Sequence, residues 1–98
     1  MGFLFRRVPP APPVERLLEA HGAARCAIAV TVMQRLCAMP NDIPSVWERI
    51  ELPLVQDLPD CPPSTKQRLI AALEDCSTAC RHRDTAKRIM TVRDSLRQ

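Results

Sequence analysis

Five cysteines and two histidines are the residues of this 98-residue chain whose types suit metal, thiol or acid–base chemistry. Cys76 and Cys80 stand one helical turn apart, with His82 just beyond, a spacing that can turn two thiolates to one side as zinc requires. A structural zinc site needs four ligands, so Cys61 and His21 would have to arrive by folding. Both helical cysteines also continue the apolar stripe of Leu69 and Leu73, where a thiol packs as a small hydrophobe. That second reading is adopted, and neither metal nor cofactor is expected. Cys26 and Cys37, eleven apart, fall on the same side of a helix after about three turns. An odd number of cysteines rules out complete internal pairing. No histidine has a local partner that would make a nucleophile or a general base, and with two glycines in the chain a nucleotide-cradling loop is improbable. The chain is therefore read as a non-enzyme.

Cys26 and Cys37 resemble the paired cysteines of the twin cysteine-x9-cysteine proteins of the mitochondrial intermembrane space, in which two antiparallel helices are bridged. The spacing here is one residue wider, and the second half offers Cys76-x3-Cys80 with Cys61 ahead of it, so that family is not adopted. A bridge such as Cys37 to Cys61 stays open. The stretch from Lys66 to Ile89, with Leu69, Leu73, Asp84 and Ala86, looks like the helical-bundle domain shared by the steroid receptor RNA activator protein and a coat-complex subunit. That likeness implies a helical interaction module and nothing finer.

Charge is distributed in blocks. Residues 1–40 carry +3, residues 41–60 carry −4 and residues 81–98 carry +4, an arrangement suited to internal pairing or to docking across a two-signed surface. In the basic tail, Arg81, Arg83, Lys87 and Arg88 are the candidate phosphate contacts, through which a nucleic acid would bind with salt-dependent affinity. No aromatic residue lies among them to stack on bases. At the other end, Phe3, Leu4 and Phe5 precede Arg6 and Arg7, a combination that can enter a protein groove or a membrane surface.

The elements that must position these residues are read from the ten prolines. Pro9, Pro10, Pro12 and Pro13 make residues 1–13 an extended arm. Six more lie between Pro40 and Pro63, leaving two proline-free runs rich in helix formers. In the first run, Val14, Leu17, Leu18 and His21 mark a short helix, and Gly22 permits a stop. From Ala23 to Met39 a helix would be apolar on nearly every side, so it must lie at the centre of the bundle or be covered by a partner. Val30 and Met33 are the positions expected to meet that partner. A short helix is expected from Pro44 to Leu52, capped by Asn41 or Asp42 and ended or kinked by Pro53. An irregular acidic crossover pinned by Leu54, Val55 and Leu58 should follow. Ser64 should cap the next helix, with Gln67 completing a capping box. Thr85, Ile89, Val92 and Leu96 are out of step with Leu69, Leu73, Cys76 and Cys80, which places a break near His82, with Asp84 capping a final helix.

The expected architecture is all-α, a bundle of four to five helices over residues 14–98 as one domain, with a Pro-rich arm and a Pro-broken acidic crossover. No apolar run approaches the roughly 20 residues of a membrane helix, and no secretory leader is recognised. Absence of acids before Glu15, with Arg6 and Arg7 present, resembles an organelle-targeting leader, mitochondrial among others. An intracellular, soluble or peripheral protein is expected. The functional expectation is an accessory or adaptor subunit that docks on a larger protein assembly, the alternative being a nucleic-acid-associated protein.

Overall fold

A computed structural model describes residues 10–98, and over them the chain is a small all-helical bundle. Its helices are α1 (Val14–Glu19), α2 (Gly22–Leu36), α3 (Ile43–Asp57), α4 (Pro63–Ala79) and α5 (Arg83–Arg97), with single 3-10 turns at Pro40–Asp42 and Leu58–Asp60. No helix of the described residues is long and apolar enough to cross a membrane. The expectations placed on Phe3, Leu4, Phe5, Arg6 and Arg7 lie outside the described residues. Pro10 to Pro13 belong to no helix, and Arg35 of α2 holds this segment by donating to the Ala11 carbonyl at 3.0 Å.

Helix α2 is the centre, as its apolar periphery requires. Against it pack α1, α3 and α4, while α5 lies chiefly on α4 and meets α3 along a shorter seam. Cys26, Ala29, Val30, Val32, Met33 and Leu36 are all buried. What α2 leaves outside is Ala23, Ala24, Ala27 and Gln34, side chains that expose little apolar area. The bundle therefore covers its own greasiest helix. Val30 and Met33, expected to meet a partner, are 1% and 0% exposed and cannot form a docking surface in this fold.

Helix α3 departs furthest from expectation. It continues through Pro53 to Asp57 instead of ending at Leu52. A proline inside a helix removes one backbone bond and costs about 3 kcal/mol, so something beyond Pro53 must hold the last turn. Leu54 is fully buried. In addition, Arg25 of α2 donates to the Pro53 carbonyl at 3.0 Å and pairs with the Asp57 carboxylate at 3.1 Å. Tertiary ties thus overrule the local breaker. Val55, expected as an inward pin, is 42% exposed, because the continued helix turns it outward beside Leu52.

The caps also differ in detail. Pro62, not Ser64, precedes α4, and no side chain caps that helix. The break before α5 falls where the mismatch of stripes places it, but its cap is His82, whose ring nitrogen accepts from the Thr85 amide at 3.3 Å. His21 is exposed and does not extend the stripe of Val14 and Leu17. Gly22 has φ +59°, a left-handed conformation that favours glycine and lets α2 begin with only two residues between it and α1.

Candidate functional site

The outer face of α3 carries the two large apolar side chains that the bundle leaves most open, Leu52 at 75% and Val55 at 42% exposure. They are one turn apart and so project together. The rest of α3 explains why they are outside: Ile43, Trp47, Ile50 and Leu54 claim the inward stripe. A fully exposed leucine gains nothing for folding, whereas burying it against another surface would be worth roughly 2 kcal/mol.

Leu52 borders a cleft of about 590 Å³ between α3 and the start of α5, lined also by Trp47, Glu48, Glu51, His82, Asp84 and Arg88. Val55 borders a second hollow of about 370 Å³ with Leu58, Pro59, Lys66 and Leu96. These hollows follow the α3–α5 seam. In the first, the Trp47 indole is 2% exposed and its Nε1 is buried without a hydrogen-bond partner among the described residues. A buried donor left unpaired costs about 1–3 kcal/mol. Glu48 and Asp84 stand exposed at the rim without an ion pair among the described residues, while Glu51 is paired with Arg88.

The basic tail is only partly available. Arg88 pairs with Glu51, Arg93 with Glu74 and Asp94, and Arg97 lies 4.0 Å from Glu74. Of these pairs, only Arg88 with Glu51 joins the basic tail to the acidic block of residues 41–60. Of the candidate phosphate contacts, Arg81, Arg83 and Lys87 are exposed and make no ion pair among the described residues. They lie on the α4–α5 connection and the first turns of α5, whereas Arg88 is held across the cleft.

The thiols take up core positions. Cys26 and Cys76 are fully buried, Cys61 nearly so, and Cys37 and Cys80 half-buried. Cys76 donates to the Met33 carbonyl at 3.4 Å, and Cys80 to the His82 carbonyl at 3.4 Å. His82 Nδ1 is occupied by the Thr85 amide and lies 2.9 Å from the Thr85 hydroxyl. Cys76, Cys80 and His82 are therefore engaged separately, and no group of three potential metal ligands stands together among the described residues. Burial pushes the Cys26 thiol up to about 12 from an ordinary 9.0, with Cys61, Asp57 and Asp60 adding to the rise. Burial raises Cys37 and Cys76 as well.

Sequence reasoning missed Arg25. It is 6% exposed inside the most apolar helix, and it donates through Nε to the Leu17 carbonyl at 3.0 Å and through Nη2 to the Leu18 carbonyl at 3.1 Å. With its bonds to Pro53 and Asp57, it gathers the end of α1 and the end of α3 onto α2. Asp57 in turn accepts from the Gly22 amide at 2.9 Å, capping α2 from outside. With four of its five N–H donors engaged inside the fold, this guanidinium is architectural. The one signal in the sequence was a charged residue on a helix that had no polar face.

No protein-family model matches the chain, no curated protein matches it, and no solved structure matches it.

Proposed function

We propose that this chain is a non-catalytic docking subunit of a larger protein assembly, bound through the outer face of α3 and the cleft between α3 and α5. The reading moves the docking surface from α2 to α3. Leu52 is the observation that carries it: a three-quarters exposed leucine at the lip of a cleft lined by Trp47, Glu48 and Asp84. The fitting partner is a basic segment with apolar side chains. Its Lys or Arg would meet Glu48 and Asp84, and its apolar groups would cover Leu52 and Val55. Charged rims of this kind set partner choice and approach more than affinity.

Cross-linking in native extract with the tagged full chain, followed by peptide mapping, tests this. Cross-links should fall on Glu48, Asp84 and their neighbours, and should disappear in a Leu52→Asp, Val55→Asp variant that melts like the wild type. Cross-links unchanged in the variant, or confined to the far side of α2, would overturn it.

Arg81, Arg83 and Lys87 support a second reading, nucleic-acid association, because they are exposed cations without an internal partner among the described residues. Titration with a polyanion at rising salt separates the two. Three phosphate contacts would give a log–log slope near −2 to −3, and a flat response removes this reading.

A further inference from the structure

Helices α2 and α4 run parallel, and each end of their interface brings two cysteines together. At the start of α2, Cys26 is fully buried and its thiol donates to the Asp57 carbonyl at 3.3 Å. From Asp57 the chain passes through one 3-10 turn, closed by the Cys61 amide on the Leu58 carbonyl at 3.0 Å. That turn delivers the Cys61 side chain into the same part of the core as Cys26. At the other end, the Met33 carbonyl accepts from the Cys37 amide at 3.2 Å and from the Cys76 thiol at 3.4 Å. One carbonyl thus brings the Cys76 thiol up to the backbone of Cys37. The fifth cysteine, Cys80, faces the His82 carbonyl beyond the end of α4.

We propose that Cys26 with Cys61, and Cys37 with Cys76, are two disulfide-forming pairs that staple α2 to the α4 segment, leaving Cys80 as the remaining thiol. This goes beyond the docking reading and does not depend on it. It replaces Cys37 to Cys61, the bridge considered from sequence, because those two residues lie at opposite ends of the α2–α4 interface.

The chemistry is thiol–disulfide exchange with a small-molecule disulfide of the glutathione class. The thiolate of the more open member of a pair (Cys37, or Cys61 at 8% exposure against 0% for Cys26) attacks the glutathione disulfide. A mixed disulfide forms and one glutathione thiolate leaves. The buried partner, having lost its proton, then attacks the protein-side sulfur and expels the second glutathione. Each pair loses two protons and two electrons, and the oxidant becomes two thiols. Thiolates are the attacking species, and burial disfavours them at Cys26, Cys37 and Cys76 in the folded chain. Closure therefore belongs to refolding, not to rapid switching of the finished fold.

The test is to refold the reduced, denatured full chain in oxidised glutathione, then quench, count thiols and map non-reduced peptides. Free thiols should fall from five to one, the mass should drop by two hydrogens per bridge, and peptides should join Cys26 to Cys61 and Cys37 to Cys76. A Cys26→Ser, Cys61→Ser variant should keep the Cys37–Cys76 bridge, and a Cys37→Ser, Cys76→Ser variant should keep the other. Predominant Cys37–Cys61 or Cys76–Cys80 peptides, glutathione adducts alone, or five thiols remaining free would each overturn the proposal.

Discussion

Arg25 is where a single side chain decides most. Its guanidinium reaches the Leu17, Leu18 and Pro53 carbonyls and the Asp57 carboxylate from within the core. Removing one partner of a buried pair leaves the other charged and unmatched, a loss of about 3–5 kcal/mol. Arg25→Leu should therefore lower the melting midpoint by more than roughly 10 °C, read by circular dichroism. Asp57→Asn keeps an acceptor for Gly22 but leaves the more buried guanidinium without its counter-charge, and should also lower the midpoint. None of this geometry was legible in the sequence, because which carbonyls lack donors is fixed only once α1 and α3 have docked. The same limit explains Val30 and Met33. Periodicity identified a helix needing cover on all sides, and could not say that its own chain supplied that cover.

Among the elements, α3 joins a local rule to its exception. Proline punctuation located both long helical runs, since those boundaries follow from backbone chemistry alone, and the mismatch of apolar stripes located the break before α5. It failed at Pro53, where Leu54 burial and the Arg25 contacts outweigh the missing amide bond. Pro53→Ala should restore a donor to the Arg49 carbonyl. The expected gain is about 2 kcal/mol, net of the freer unfolded chain, measured as a raised urea midpoint at unchanged slope. An unchanged or lowered midpoint would mean that the helix at Pro53 bears little of that penalty. The candidate docking face was missed for the same reason. With α3 ended at Leu52, Val55 counts as a crossover pin; with α3 continued, it joins Leu52 on an open helical face.

For the whole molecule, buried thiols link stability to alkaline pH. Folding raises Cys26 to about 12, and raises Cys37 and Cys76, so the folded reduced chain holds protons that the unfolded chain releases near pH 9. The stability associated with these thiols is complete below about pH 9 and lost progressively as pH climbs towards 12. Melts of the reduced chain from pH 8 to 11 should show a falling midpoint, with a shallower fall in Cys26→Ala. Closing both bridges should add up to roughly 3–4 kcal/mol for each loop of about 35–40 residues, and should remove the thiol part of the alkaline loss. The claim that α3 carries the function is most directly tested by size-exclusion chromatography with light scattering on native extract containing the tagged chain. The wild type should elute within a larger protein assembly, and the Leu52→Asp, Val55→Asp variant as an 11.0 kDa species with the same helical signal. Identical elution of the two within that assembly, or a wild type that elutes alone, would contradict it.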